Sequence, residues 1–135
     1  MYSADLEKNY RPVGEVEFVE GLSAASASGI YGKSRASASI IGHANLNLGN
    51  KVEPILESLL EASPRRFKGI RHIVAWDDDK KVDSIPVYNL EEQMSTKNFI
   101  DGAKVLSKMG CLLYTSDAAD DSLRVDLGGR RIIKK

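Results

Sequence analysis

The sequence predicts an α/β fold, and three observations carry that prediction. Segments with apolar residues at helical spacing alternate with short apolar runs. The order along the chain is helix, strand, helix, strand, helix. The composition is that of an ordinary globular chain, 42% hydrophobic and 28% charged over 135 residues, a length that allows one compact domain. Strands alternating with helices usually pair in parallel through right-handed connections, a pattern that suits a barrel and an open sheet equally.

The first helix is expected over Pro12 to Ala25. Proline at a first helical position forfeits no hydrogen bond, and Val13, Val16, Val19 and Leu22 recur every third residue, which predicts an inward stripe. Ser23 to Ser39 is rich in alanine, serine and glycine, and Gly29-Ile30-Tyr31-Gly32 interrupts any period, so a loop is expected there. Ala36-Ser37-Ala38-Ser39-Ile40-Ile41, closed by Gly42-His43, suits a strand buried on both faces. Asn47-Leu48-Gly49-Asn50 then supplies turn chemistry and a capping side chain. Val52, Ile55, Leu56, Leu59 and Leu60 make the most amphipathic helix of the chain. Glu53 complements the dipole of its first turn, Pro54 sits where no donor is needed, and Ser63-Pro64 ends it. Phe67 to Trp76 reads as the second strand and Asp77 to Tyr88 as a charged loop. A third helix starts at the hydroxyl of Ser95 or Thr96, turns Phe99, Ile100, Ala103, Leu106 and Met109 inward, and stops at Gly110.

The remainder, CLLYTSDAADDSLRVDLGGRRIIKK from Cys111 to Lys135, resembles the translation of synthetic sequencing-adapter DNA read in one frame. The chain is therefore expected to divide into 1–110, a natural domain fragment, and 111–135, a non-native adapter-derived tail with no packing role. Arg130, Arg131, Lys134 and Lys135 would otherwise pass for a nucleic-acid tail. Asp117, Asp120 and Asp121 would pass for a cation loop, but they lack the ligand alternation and the glycine of a calcium loop.

Charge narrows the function classes. Lysine plus arginine and aspartate plus glutamate number 19 each, so no net field draws nucleic acid or an anionic membrane. A small-molecule substrate is the expected partner. One cysteine, Cys111, cannot form an internal disulfide, and no secretory signal opens the chain, so a cytoplasmic setting is expected. No apolar run approaches the roughly 20 residues that span a bilayer.

Three residues are candidate substrate contacts. His43 and His72 fall at or near the carboxyl ends of the two expected strands, where α/β folds assemble their sites. Two histidines separated by a helix do not complete a metal site, so no metal ligand and no catalytic residue is named. Arg71 lies on the expected interior strand, where a guanidinium must meet an anion, either a substrate group or a structural carboxylate. Asp77, Asp78 and Asp79 read as a solvated loop. SASGIYG lacks the spacing of a nucleophile elbow or a phosphate loop.

Three stretches carry a resemblance: GEVEFVEGLSAASASGIYG, IIGHANLNLGNKVEPILESLLEAS and RRFKGIRHIVAWDDD. They resemble the amidohydrolase-2 family of metal-dependent TIM-barrel hydrolases, relatives of sugar and pyrone lactonases. The most specific pieces are Gly42-His43-Ala44-Asn45-Leu46, Val52-Glu53-Pro54 and Phe67 to His72. The resemblance implies a partial (β/α)8 TIM barrel of two to three β/α units, truncated at both ends. It implies a parent enzyme that hydrolyses a lactone or a related ester or amide, with a divalent metal in the full-length parent and none in this fragment. The family's His-x-His strand and its later histidine and aspartate have no counterparts here, so the fragment itself is expected to be inactive. Arg71 corresponds to an arginine that holds a substrate carboxylate or carbonyl, while His43 and His72 line or border the pocket. A small autonomous α/β binding module without catalysis is the alternative.

Overall fold

The computed structural model describes residues 5–74 and 92–115. Helix α1 (Arg11–Ala27) leads to strand β1 (Ile40–His43), a 3-10 helix (Leu46–Val52), α2 (Glu53–Ala62) and β2 (Phe67–Arg71). A 3-10 turn (Gln93–Ser95), α3 (Lys97–Lys108) and β3 (Leu112–Tyr114) complete the described order. The strands form one parallel sheet in the order β1-β2-β3. The α/β class is thus observed, as an open three-stranded sheet with three helices. The expected charged loop from Asp77 to Tyr88, with Trp76 before it, lies outside the described residues.

The helices bury one face of the sheet. Val13 and Val16 of α1, Leu56 and Leu59 of α2, and Phe99 and Leu106 of α3 join Ile40, Phe67 and Ile70 in one core. Leu22 departs from the expected stripe and is half exposed, whereas Ser23 is buried. Helical geometry explains this. A three-residue spacing lags the 3.6-residue turn, so nine residues beyond Val13 the side chain has swung roughly 180° around the axis. Ser23 is satisfied there because its hydroxyl donates to the Val19 carbonyl at 2.7 Å.

β1 is shorter than expected and is buried on one face only. Ile40 and Gly42 are covered, whereas Ile41 is 38% exposed. Gly42 lets α1 and α2 close on the sheet, since a β-carbon there would press on the Phe67 ring and on Val16. The 3-10 helix that follows replaces a simple turn. Asn45 caps it by accepting the Asn47 amide at 3.0 Å. α3 lies directly against this helix, because Gly102 leaves room for the Leu46 carbonyl that any β-carbon would strike. Glu20 of α1 clamps the α2–β2 junction by accepting from Ser63 Oγ at 2.5 Å and from Arg66 Nη1. Thr96 caps α3 through the Phe99 amide, and Gly110 ends the helix at φ 68°.

Two expectations are corrected here. The start of the tail does pack: Leu112–Tyr114 pairs with Gly69–Arg71, and the His72 amide donates to the Tyr114 carbonyl at 2.9 Å. The edge of β2 carries backbone groups that need partners, and the apolar run Cys111-Leu112-Leu113-Tyr114 supplies them. Ile100 of α3 is also outside the core, at 40% exposed.

Candidate functional site at the strand ends

Parallel pairing brings the carboxyl ends of β1 and β2 to one side, with His43 directly opposite Arg71 in register. Residues opposite each other in a sheet point to the same face. His43 Nδ1 lies 2.9 Å from the Arg71 carbonyl oxygen. A carbonyl only accepts, so Nδ1 carries the proton and the basic lone pair resides on Nε2.

Arg71 is exposed, so the argument that a guanidinium here is desolvated does not hold in this chain. The reason is the second face of the sheet, which no described helix covers and where Ile41, Leu112 and Tyr114 are also exposed. Arg71 and His43 are therefore opposite each other in register, with the Arg71 side chain exposed.

His72 takes the other side. Strand alternation turns it inward, where it has no exposed surface. Its ring meets Phe99 edge-on at 5.4 Å between centroids and stacks on His43 at 6.4 Å, with 18° between the planes. Nδ1 lies 3.2 Å from the Ala44 carbonyl and 3.3 Å from the Leu46 amide nitrogen. Nε2 contacts the side-chain amide of Gln93, itself 2% exposed. Burial holds the imidazole below its ordinary value of 6.5; the Ala44 hydrogen bond opposes that shift, and the nearby His43 adds to it.

The structure therefore brings all three sequence candidates to one end of the sheet but separates their roles. His43 and Arg71 face outward, while His72 is a packed ring behind His43. Gln93 is the residue that sequence reasoning missed. Its only local signal is a position just before the Ser95-Thr96 cap, which says nothing of a partner more than twenty residues away.

Among the described residues no group of three or more histidine, cysteine, aspartate or glutamate side chains is placed to hold a metal ion. His72 spends both ring nitrogens on protein atoms. The described residues thus do not fit the metal centre that the family resemblance implies. No described helix is long and apolar enough to cross a membrane. No family model, curated protein or solved structure matches the chain.

Proposed function

We propose that the chain is part of a cytoplasmic hydrolase of the amidohydrolase type, its three parallel strands belonging to a (β/α)8 barrel, acting on a lactone or a related ester or amide. The observation that carries this reading is the pairing of His43 with Arg71 at the strand ends, with the His43 Nδ1 proton held by the Arg71 carbonyl. In this reading Arg71 holds a carboxylate or carbonyl oxygen of a small-molecule substrate through its planar fork. His43 Nε2 accepts a proton from water as the water adds to the carbonyl carbon, the carbonyl oxygen taking the negative charge; the tetrahedral intermediate then collapses with cleavage of the C–O or C–N bond, and the proton on His43 passes to the leaving oxygen or nitrogen. His72 borders the site and supports His43 from behind. The sequence resemblance, over nearly all of residues 1–110, supports the same class.

The test is a hydrolase assay on a panel of lactones and aryl esters, using the protein encoded by the natural locus resequenced across the Gly110–Cys111 junction. Arg71→Lys and Arg71→Met are expected to lower catalytic efficiency while folding normally. Loss of one charged substrate contact is worth about 2 to 5 kcal/mol, roughly thirtyfold to several thousandfold in rate. Full activity in Arg71→Met would remove the substrate role, and no hydrolysis of any panel member would remove the enzyme reading.

A second reading, a small autonomous α/β binding module, is favoured by the continuous core that runs from α1 through α3. A cooperative melt from a monomer that lacks hydrolytic activity would select it.

A further inference from the structure

Between α1 and β1 the chain makes a turn whose tip runs against the usual chemistry of turns. The Gly32 amide donates to the Gly29 carbonyl at 3.1 Å, so Ile30 and Tyr31 hold the two central positions. Such positions ordinarily go to glycine, proline, asparagine, aspartate or serine. Here they carry large apolar side chains, 79% and 76% exposed, the most exposed large hydrophobic residues among those described. Single exposed hydrophobic residues are ordinary on any surface, but an adjacent pair displayed by an ordered turn marks a contact with an apolar medium.

The fold holds this turn in place. Gly29 and Gly32 lie at φ 84° and 96°, in the left-handed region, so the backbone reverses on either side of the apolar pair. The Ser28 hydroxyl accepts from the Ile30 amide at 3.4 Å and donates to the Ala25 carbonyl at 2.6 Å. Ser26 Oγ accepts from the Ala36 amide at 2.9 Å, and Arg35 Nη1 donates to the Ser26 carbonyl at 3.3 Å. Both arms of the loop are thus tied to the last turn of α1, and none of these bonds uses the Ile30 or Tyr31 side chain.

Neutrality of the whole chain hides a local asymmetry. Gly21 to Val52 contains no aspartate or glutamate, and Lys33 and Arg35, both exposed, follow the turn directly. Among the described residues no carboxylate pairs with either cation. Apolar side chains next to unpaired cations match the layering of an anionic bilayer, with acyl chains beneath negative headgroups. Tyrosine suits that boundary because its ring is apolar and its hydroxyl polar. A protein groove would also take the apolar pair, but a segment without a single acidic residue favours a surface of uniformly negative charge. We propose that the α1–β1 loop is a peripheral membrane contact: Ile30 and Tyr31 enter the headgroup boundary of an anionic bilayer while Lys33 and Arg35 meet the lipid headgroups. The contact is weak and reversible, since two side chains and two cations fall short of an anchor. The turn precedes β1 and His43 ends it, so the proposal is independent of the hydrolase reading.

The test is co-sedimentation of the full chain with vesicles of phosphatidylcholine alone, or of phosphatidylcholine and phosphatidylserine in equal parts. Binding to the mixed vesicles is expected to be roughly tenfold or more tighter than to the neutral ones, and to weaken as salt is raised. Ile30→Ser combined with Tyr31→Ser is expected to lower binding by at least about tenfold. Lys33→Glu is expected to reduce the preference for the mixed vesicles. No side-chain bond among the described residues involves Ile30, Tyr31 or Lys33, so circular dichroism of these variants is expected to match wild type. Met94→Ser, at an exposed apolar position elsewhere, is expected to bind as wild type does. Inorganic phosphate at matched ionic strength is expected to displace the protein no better than chloride. Absence of binding to the mixed vesicles, equal binding to both kinds, or binding that the double serine variant leaves unchanged overturns the proposal. Preferential displacement by phosphate overturns it in favour of a phosphate site. Self-association that the double serine variant abolishes, without vesicle binding, overturns it in favour of a protein contact. If the double variant misfolds, the vesicle comparison and Lys33→Glu decide.

Discussion

Arg71 and His72 are neighbours in the chain, yet one is exposed and the other has no exposed surface at all. Alternation along an extended backbone sends successive side chains to opposite faces, and among the described residues the helices cover one face of the sheet. The difference separates two kinds of candidate residue. A charged side chain on the open face is available to a ligand and contributes little to folding. A polar ring on the covered face is bound into the core by partners from the β1 turn, from α3 and from the 3-10 turn before it. Equal proximity to a strand end does not mean an equal role.

The comparison is broken most directly by His72→Ala, which removes a buried ring and leaves the Leu46 amide and the Gln93 side chain without their partner. A loss of about 3 kcal/mol or more is expected in urea unfolding, from the cavity and the unpaired groups together. A loss below about 1 kcal/mol would mean that the ring is not a core element.

A smaller effect is expected from β3, whose Tyr114 carbonyl accepts the His72 amide. Ending the chain at Gly110 removes that bond and the pairing of β2 with β3, with an expected cost of about 1 to 3 kcal/mol. Ending it at Thr115 retains these bonds and is expected to leave the circular dichroism spectrum unchanged. Equal melting curves for the two truncations would show that β3 is dispensable.

pH sharpens the comparison further. The folded-state pKa of His72 lies below 6.5, the ordinary imidazole value that the unfolded chain takes. Above 6.5 the ring is neutral in both states and its stabilising contribution is complete. As pH falls below 6.5 the unfolded chain takes up the proton first, so stability declines toward the folded-state value, at no more than about 1.4 kcal/mol per pH unit for one proton. Denaturation midpoints measured between about pH 8 and pH 5 are expected to show this decline in wild type and in Arg71→Met alike. A flat profile in wild type would contradict a buried, neutral His72.

The smallest expected effect is that of Arg71→Met itself on stability, within about 0.5 kcal/mol, as for most exposed positions. A loss of more than about 1 kcal/mol in thermal unfolding would assign Arg71 to a structural ion pair.

The sequence by itself determined the α/β class, the order of the elements and the three helices, whose expected ends fall close to Arg11–Ala27, Glu53–Ala62 and Lys97–Lys108. These follow from local rules: apolar spacing, proline in a first turn at Pro12 and Pro54, the Thr96 hydroxyl cap and the Gly110 stop. It also placed His43 and His72 at or near the carboxyl ends of the expected strands and Arg71 on the second of them, because the short apolar runs mark where the strands lie along the chain. Tertiary structure alone decided which face of the sheet is covered, and hence that Arg71 is exposed, Ile41 half-covered and His72 enclosed. It decided that Leu22 leaves the core while Ser23 enters it, that Leu112–Tyr114 completes the edge of β2, and that Gln93 meets His72. The reason is the same in each case: spacing says which side chains share a side, but burial and hydrogen-bond partners depend on what packs against that side, and that comes from distant parts of the chain.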